Sequence, residues 1–277
     1  MVAILSTRRD VILEAVRQMY TAVATAPERG FHFPTGRTAC ELVGYPKEQL
    51  DPIPATALES FAGVGYPFAA GLIRRGDTVV DVGSGAGTDA LIASALVGAE
   101  GRVIGLDITA AMRDKLRGNA VTAGATNVEV LAGSAEDIPL PDECVDVVTS
   151  NGVLNLVPDK ALALREIARV LTSGGWLQLA DIVVESLPSD ACRSRPELWA
   201  ECVVGATTLE SYVAGLSTVG FREIRVTDRV DYFGASSSAE TRKVAQSFGA
   251  HSIVLVARRG RGVPLDTGPM PDTLEWK

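Results

Sequence analysis

The middle of the chain alternates between short runs of apolar residues and longer stretches whose apolar positions recur every three or four residues. Short apolar runs are typical of buried strands, and the longer stretches are typical of helices. The pattern predicts strands at 77–82, 101–107, 127–133, 144–150 and 176–184, with helices at 87–98, 109–124 and 159–175. Apolar strands that alternate with helices predict a parallel sheet covered on both faces.

Two helix ends carry their own signals. Thr109 precedes an apolar-periodic stretch and is predicted to cap the helix 109–124. Gly174 and Gly175 are predicted to end the helix that begins at residue 159, because glycine readily adopts the left-handed conformation at helix ends.

The pattern changes on either side of this central part. Before it, we predict a helix at 7–26, mostly loop at 27–56 with a short turn at 46–50, and a helix at 56–73. After it, we predict an insertion at 185–207, helices at 208–219 and 238–248, and strands at 221–233 and 251–259. Two late strands after the parallel set predict an antiparallel edge of the sheet.

These elements describe an α/β chain with four parts. They are an N-terminal helical and loop cap at 1–76, a core of strands and helices at 77–184, an insertion and C-terminal strands that complete the sheet at 185–259, and an irregular tail at 260–277. At 277 residues, 47% of them hydrophobic, the chain is long enough for one large α/β domain with an appendage.

The composition argues against several kinds of protein. The formal net charge is −8 and no basic stripe is present, which argues against a nucleic-acid partner. No apolar run reaches the about 20 residues of a membrane helix, and the start of the chain lacks the order of a secretory signal, so we expect a cytoplasmic protein. The four cysteines form no C-x-x-C pair, and we expect Cys144 in the core and Cys192 at the surface rather than a zinc or disulfide site.

A glycine-rich turn joins the first predicted strand to its helix, in the stretch VVDVGSGAGTDA at 79–90. Gly83, Gly85 and Gly87 occupy every second position, and Asp107 ends the next strand. Such turns bind nucleotides at the carboxyl edge of a sheet, where a helix presents free N–H groups. A carboxylate at the end of the next strand can accept hydrogen bonds from both ribose hydroxyls, so the pattern predicts a ligand with a ribose.

The glycine spacing separates two classes of nucleotide. A dinucleotide site has glycines at positions i, i+2 and i+5, whereas Thr88 occupies the last of these here. Asp81 would repel a pyrophosphate, but it suits a cationic sulfonium that carries an amino-acid tail. The turn therefore favours S-adenosylmethionine over NAD, and an NAD-linked oxidoreductase is the less favoured alternative.

Further residues are predicted around the same ligand. Ser84 lies within the glycine turn, and Ile108 follows Asp107. Ala135 and Glu136 follow the third strand and are predicted to border the adenine, with the Glu136 carboxylate accepting from its amino group. Asn151 follows the fourth strand, where the methyl group should face its acceptor, and is a candidate for both cofactor binding and catalysis.

As a set, the motifs from Val79 to about Val184 resemble those of class I S-adenosylmethionine-dependent methyltransferases. This resemblance implies a Rossmann-like, mostly parallel sheet whose cofactor-binding core spans 77–184. Within the class, the chain is most similar to the arsenite methyltransferases, over roughly 35–257. Three stretches carry that likeness, namely FAGVGYP at 61–67, SNGVLNLVPDK at 150–160 and LWAECVVGA at 198–206.

The cysteines depart from the arsenite methyltransferase pattern. That family binds trivalent arsenic through cysteine thiolates, because a soft metalloid prefers soft sulfur. At two matching positions this chain has Val64 and Gly152. Cys202 remains in register, and Cys40 is a candidate match to a further N-terminal cysteine. The resemblance therefore implies the fold and the cofactor, but not a three-thiolate arsenic site.

The favoured hypothesis is methyl transfer from S-adenosylmethionine to a small-molecule acceptor, without a bound metal. One alternative is an arsenite or metalloid methyltransferase that uses Cys202 and also Cys40 as catalytic thiols. A second is a protein that binds S-adenosylmethionine or a metalloid without catalysis.

The acceptor is predicted to bind where the segments before residue 77 and between 184 and 208 cover the carboxyl edge of the sheet. The aromatic candidates for lining that space are Tyr20, Phe61, Tyr66 and Trp199. A thiolate acceptor needs no general base, whereas a hydroxyl or amine acceptor does. The candidates for a base are His32, His251 and Glu201.

Overall fold

The computed structural model describes residues 2–188, 203–236 and 238–261, with side chains from residue 9 onward. The described residues form one seven-stranded sheet. Its strands are β1 (Thr78–Val82), β2 (Arg102–Asp107), β3 (Val128–Ala132), β4 (Val145–Asn151), β5 (Leu171–Val183), β6 (Phe221–Val230) and β7 (His251–Arg259).

The order of the strands across the sheet is β3-β2-β1-β4-β5-β7-β6. The pairs among β1 to β5 are parallel, and β7 runs antiparallel to both β5 and β6. This confirms the predicted Rossmann-like class with antiparallel pairing at one edge. The chain order reverses between β1 and β4, and crevices for ligands form at the carboxyl ends of strands at such a point.

Helices cover both faces of the sheet. They are α1 (Val2–Thr25), α2 (Gly36–Leu42), α3 (Lys47–Leu50), α4 (Ala55–Leu58), α5 (Thr88–Val97), α6 (Ala110–Thr122), α7 (Lys160–Val170), α8 (Leu209–Thr218) and α9 (Ala239–Phe248). One core joins α5, α6 and the N-terminal helices to the sheet, through residues such as Val79 and Val147. The other joins α7 and α8 to the opposite face, through Val80 and Val148.

The predicted helix at 56–73 is wrong over most of its length. Only α4 forms there, and an irregular segment leads to a single 3₁₀ turn at Pro67–Ala70. A Cβ on Gly65 would lie 2.7 Å from the Cβ of Ala180 on β5, so the segment passes too close to the sheet for a helix with side chains. The preceding segment is also more helical than predicted, because α2 and α3 lie within 27–56.

The predicted helix at 159–175 ends early, at Val170, and the next residue already belongs to β5. Leu171 is fully buried and pairs with Val145 on β4. Gly175 is part of this strand, where an added Cβ would lie 2.8 Å from the carbonyl oxygen of Asp146. The glycines therefore allow close strand contact rather than ending a helix. Thr109 occupies the N-cap position of α6, but its side chain makes no capping hydrogen bond.

Several predictions fall outside the described residues. They concern most of the insertion, the tail beyond residue 261, and the residues Cys192, Trp199, Glu201 and Cys202. Within the described part of the chain, the helices are all too short or too polar to cross a bilayer.

Candidate cofactor site

A cavity of about 950 Å³, measured out to its open mouth, lies at the carboxyl ends of β1, β2 and β4. It coincides with the reversal of strand order between β1 and β4. Residues of the glycine turn form its floor, and Tyr20 of α1 and Phe61 of the cap contribute to its wall.

The three glycines of the turn have different structural roles. A Cβ added to Gly83 would lie 2.2 Å from a methyl carbon of Val153. A Cβ added to Gly87 would lie 2.2 Å from a methyl carbon of Leu116. A Cβ added to Gly85 would contact only the Met112 sulfur, at 3.9 Å. Gly85 itself lines the cavity. All three have positive φ. Gly85 thus keeps the cavity open, Gly83 makes room for Val153 at the cavity wall, and Gly87 packs against α6 without lining the cavity.

Asp107 is held by the backbone at the end of β2. Its Oδ2 accepts a hydrogen bond from the Gly85 N–H at 2.9 Å, and its Oδ1 accepts one from the Thr109 N–H at 2.7 Å. Burial raises the pKa of this carboxyl, against the lowering effect of these hydrogen bonds. The side chain lines the cavity, so the structure fixes the carboxylate where a bound ribose was predicted.

Asp81 lines the same cavity and is 2% exposed. Its Oδ1 accepts a hydrogen bond from Thr149 Oγ1 at 2.8 Å, whereas its Oδ2 has no partner. Burial is the largest cause that raises the pKa of Asp81 well above its usual range, followed by the neighbouring charge of Asp89. The buried hydroxyl of Ser84 also lacks a partner and lines the cavity. These two polar groups are available to a ligand.

Asp89 is a third cavity-lining carboxylate, and the sequence pattern did not single it out. The Tyr45 hydroxyl donates a hydrogen bond to its Oδ1, and Asn151 Nδ2 donates to its Oδ2 at 3.0 Å. Burial raises the pKa of Asp89 to about 6, against the lowering effect of both hydrogen bonds. The available signal was an acid inside the otherwise apolar helix TDALIASALV. Tyr45 lay in a segment predicted as loop and carried no signal.

Asn151 ends β4, as predicted, and its amide organises the neighbouring cap. Its Oδ1 accepts hydrogen bonds from the backbone N–H groups of Val64 at 2.7 Å and Gly65 at 3.3 Å. Its Nδ2 donates to the Tyr45 hydroxyl at 2.9 Å and to the Gly65 carbonyl at 2.9 Å. Asn151 therefore clamps the segment 63–65 to the sheet and also lines the cavity. Its predicted contact with a cofactor stays a prediction.

Ile108, Ala135 and Glu136 were predicted to bind the cofactor, the last two at its adenine, and the structure separates them. Ile108 and Ala135 line the cavity. The Glu136 carboxylate instead pairs with the Arg9 guanidinium at 2.6 Å and accepts the Asp159 N–H at 2.7 Å. It thereby joins α1 to the segment before α7, and its contact with an adenine stays a prediction.

The thiols and bases named from the sequence do not meet at this cavity, as far as the described residues show. Cys40 lies fully buried in α2, and burial raises the pKa of its thiol. Burial lowers the pKa of His32, and neither His32 nor His251 lines the cavity. Tyr66 also lies outside it and donates to Gln49 at 2.9 Å.

Val64 and Gly152, which replace two cysteines of the arsenite methyltransferase pattern, are neighbours. A Cβ on Gly152 would lie 3.3 Å from a methyl carbon of Val64. Gly152 has a φ of 70°, which side chains rarely adopt. The two positions are thus close enough for a pair of thiols, although a side chain at position 152 would be strained.

A family model described as a methyltransferase domain matches residues 73–246, which include strands β1 to β6, the glycine turn and all three cavity aspartates. The chain belongs to the methyltransferase-domain family. This methyltransferase chain is 35% identical over 192 residues to the arsenite methyltransferase of Halobacterium salinarum, covering 69% of this chain and 49% of the relative. It is 42% identical over 108 residues to a ubiquinone/menaquinone biosynthesis C-methyltransferase of Vibrio campbellii, covering 38% of this chain and 40% of the relative.

A solved structure is also similar to this methyltransferase chain. The crystal structure of an arsenic(III) S-adenosylmethionine methyltransferase from Chlamydomonas reinhardtii matches with a TM-score of 0.62 and 30% identity, over 83% of this chain and 75% of that one. The methyltransferase chain spans about half the length, or less, of the curated relatives named above.

S-adenosylmethionine is the cofactor of this methyltransferase family, and the cavity fits it. Gly85 leaves room beside the backbone, and Asp107 holds its carboxylate at the cavity edge. The free Oδ2 of Asp81 and the free hydroxyl of Ser84 are buried polar atoms that a ligand can satisfy. A cavity without these features would give the cofactor's polar groups no partners.

Proposed function

We propose that this chain transfers a methyl group from S-adenosylmethionine to a small neutral or cationic acceptor. The observation that supports this most directly is the composition of the cavity wall. Three buried aspartates line it, and no described lining residue is lysine, arginine or histidine. An anionic acceptor would find no cationic side chain among the described lining residues, and burying a charge without a partner is costly.

The chain's residues contribute mainly by positioning. Bound S-adenosylmethionine supplies a methyl group already activated by the positive charge on sulfur. Asp107 and the open backbone at Gly85 would orient the adenosine part, and Asn151 holds the segment 63–65 against the sheet. Tyr20 and Phe61 contribute aromatic surface to the cavity wall. Holding an acceptor in line, about 3–3.5 Å from the methyl carbon, accounts for most of the catalysis that such a site needs.

The Asp89 carboxylate would act as the base that accepts the proton of a protic acceptor. The acceptor's lone pair forms the new bond to the methyl carbon, the electrons of the carbon–sulfur bond stay on sulfur, and the acceptor's proton moves to the Asp89 carboxylate. A pKa of about 6 suits this role near neutral pH. Tyr45 and Asn151 hold the carboxylate in place.

Two measurements test this function. Calorimetry should detect binding of S-adenosylmethionine and no binding of NAD. Incubation with methyl-labelled S-adenosylmethionine and a set of amines, phenols and activated carbon acids should label at least one product, and the Asp89→Asn variant should transfer more slowly. Binding of NAD alone would contradict the proposed cofactor, and binding without labelling of any acceptor would contradict catalysis.

Methylation of arsenite is the second candidate, because relatives that are 30–35% identical carry that activity in their names. The described residues offer little for it, since Val64 and Gly152 carry no sulfur and Cys40 lies outside the cavity wall. A single thiolate bond to arsenic exchanges readily with free thiols. We therefore expect negligible arsenite methylation by the unmodified chain.

The matched test uses arsenite, excess thiol and S-adenosylmethionine on the unmodified chain and on the double variant Val64→Cys with Gly152→Cys. The double variant should bind arsenite more tightly, because the two positions are neighbours. Robust formation of methylarsenicals by the unmodified chain would make arsenite the first candidate for the acceptor.

The cytoplasm is the compartment that we propose for this reaction. The cysteine spacing supports it, because the sequence shows neither paired C-x-x-C motifs nor a disulfide framework. Fractionation of cells that express the tagged chain tests the proposal, and recovery in a secreted fraction would contradict it.

A further inference from the structure

One part of the cavity wall consists of apolar and aromatic side chains that do not belong to the glycine turn. They come from α1, from the segment before β1 and from the segment after β4. This apolar wall comprises Leu13, Val16, Tyr20, Phe61, Leu156 and Val157. The residues proposed to hold the adenosine part of the cofactor lie elsewhere, at the glycine turn and at the ends of β2 and β3. The apolar wall can therefore bind the other reactant.

The polar side chains that line the cavity among these segments already have partners within the protein. The Ser60 hydroxyl donates to a backbone carbonyl of α1 at 3.0 Å and accepts from Lys115 Nζ at 2.8 Å. The Thr88 hydroxyl donates to a backbone carbonyl of α4 at 3.3 Å. The Asn151 amide uses both its oxygen and its nitrogen to hold the segment 63–65. These groups have little capacity left for a polar acceptor.

The Asp89 carboxylate is the polar group proposed to meet the acceptor. The free atoms of Asp81 and Ser84 are assigned to the cofactor, and a polar group that is buried without a partner is costly. An acceptor with several polar groups would therefore leave most of them unsatisfied. A cationic acceptor is also disfavoured, because it would have to come within about 3–3.5 Å of the methyl carbon on the positively charged sulfur.

The Phe61 ring is held next to the residues that position Asp89. Its centroid lies 5.2 Å from that of the Tyr45 ring, with an angle of 77° between the ring planes. The Tyr45 hydroxyl donates to Asp89. A Cβ on Gly63 would lie 2.5 Å from Phe61 Cζ and 2.5 Å from Asn151 Nδ2, so the ring and the amide approach each other at this glycine. A flat acceptor that packs against Phe61 would thus lie beside the residues that hold the base.

Polar contacts toward both ends of α1 fix its part of the apolar wall. The Arg9 guanidinium pairs with the buried Glu136 carboxylate at 2.6 Å. Toward the other end, the Val23 carbonyl accepts from the Ser60 hydroxyl at 3.0 Å. The three wall residues of α1 lie between these contacts along the helix. The surface is therefore preorganised, and a preorganised surface loses less conformational entropy when a ligand binds.

We propose that the methyl acceptor is a neutral aromatic molecule with one protic nucleophile, a phenol or an aromatic amine, and that the apolar wall binds its ring. This inference rests on the proposed function and narrows its acceptor. The oxygen or nitrogen lone pair forms the new bond to the methyl carbon, and the electrons of the broken carbon–sulfur bond stay on sulfur. The proton of the nucleophile passes to the Asp89 carboxylate.

The experiment measures transfer from methyl-labelled S-adenosylmethionine to four acceptors near neutral pH. Two have an apolar ring and one neutral protic group, namely p-ethylphenol and p-ethylaniline. Tyramine is the matched polar acceptor, because it is p-ethylphenol with an ammonium group on the ethyl arm, and ethanolamine has no ring. At least one of the first two should have a kcat/KM about tenfold or more above that of tyramine, because burying the ammonium group against the apolar wall is costly. Ethanolamine should not be labelled.

A pair of variants on α1 tests the apolar wall directly. Val16→Thr places a hydroxyl in the wall at nearly constant volume, whereas Val11→Thr makes the same change on the exposed side of the helix, where Val11 is 47% exposed against 6% for Val16. Val16→Thr should raise the KM of the preferred ring acceptor about threefold or more and leave kcat nearly unchanged, because the hydroxyl lacks a partner there. Val11→Thr should change neither, and both variants should keep the affinity for S-adenosylmethionine.

The outcomes separate this inference from the proposed function. Equal or faster labelling of tyramine or ethanolamine by the unmodified chain would overturn the aromatic acceptor, and this comparison needs no variant to fold. Labelling of other acceptors, but of neither ring acceptor, would overturn it as well and leave methyl transfer standing. An unchanged KM in a folded Val16→Thr variant would remove α1 from the acceptor site. Failure to bind S-adenosylmethionine, or to label any acceptor of the wider set, would instead overturn the proposed function.

Discussion

At the scale of single residues, the cavity combines side chains that the sequence could identify with side chains that it could not. Asp81, Gly85 and Asp107 were predictable because their positions relative to the strand ends follow a local pattern. Asp89 and Tyr45 were not, because their hydrogen bond joins residues 44 positions apart. Local spacing carries no information about such a contact.

Asp107 should contribute strongly to cofactor binding. Asp107→Ala should weaken binding of S-adenosylmethionine by about 1.5–3 kcal/mol, the usual scale for lost hydrogen bonds to a charged group. Calorimetry gives the dissociation constant. Asp114→Ala is the control, because its side chain is 75% exposed and pairs only with Arg117 on the surface. An unchanged constant in a folded Asp107 variant would remove this residue from the cofactor site.

Gly85 and Gly87 should respond differently to an added side chain. Gly85→Val should abolish binding of S-adenosylmethionine, because the new side chain projects into the cavity, and the chain should stay folded despite a backbone strain of about 1–2 kcal/mol from the positive φ. Gly87→Ala should instead lower the free energy of unfolding by about 1–3 kcal/mol, since its Cβ would collide with the buried Leu116. Calorimetry and thermal melts distinguish the two effects. If Gly85→Val binds S-adenosylmethionine normally, Gly85 is needed only for the backbone conformation of the turn and not for the cofactor.

At the scale of elements, the sequence predicted the central strands and helices well, because each carries its own apolar periodicity. It failed where tertiary contacts decide the backbone. In the segment 56–73, the backbone N–H groups of Val64 and Gly65 donate hydrogen bonds to Asn151 Oδ1, which hold the backbone in an irregular path instead of a helix. Leu171 fits the apolar periodicity of α7, but its pairing with Val145 on β4 makes it the first residue of a strand.

One partly buried ion pair joins α1 to the segment before α7. The Arg9 guanidinium contacts the Glu136 carboxylate, whose side chain is fully buried. Arg9→Ala should lower the free energy of unfolding by about 1–3 kcal/mol, because it leaves a buried carboxylate without its cation. Arg17→Ala is the control, since its pair with Glu14 is exposed on both sides and such pairs contribute about 0–1 kcal/mol. Equal thermal shifts in the two variants would contradict a special role for Arg9.

At the scale of the whole molecule, buried acids should set the dependence of stability on pH. Burial raises the pKa of Asp181 to about 7, against the lowering effect of hydrogen bonds from the Ile182 N–H and the Tyr212 hydroxyl. A carboxyl whose pKa is raised on folding favours the folded state at low pH. That contribution is lost as the pH rises through the folded pKa. Stability should therefore decline between about pH 4, the ordinary pKa of an aspartate, and about pH 7.

Asp181→Asn tests this dependence. In this variant, the free energy of unfolding should fall by about 1–3 kcal/mol less over this pH range than in the unmodified chain, because an amide does not titrate. Urea melts at pH 4, 5, 6 and 7 measure it, and Asp228→Asn on the exposed part of β6 is the control. A decline of the same size in the Asp181 variant would show that another group causes it.

The place of β7 has a consequence for how the molecule is made. This strand comes last in the described part of the chain, yet it lies inside the sheet and pairs with β5 over eight residues and with β6 on its other side. A nascent chain on the ribosome therefore cannot attach β6, and it exposes the edge of β5, until residues 251–259 have been translated. Exposed strand edges favour association with other chains. A ribosome-bound chain arrested before residue 251 should remain sensitive to protease and should recruit chaperones, and release of the full chain should end both.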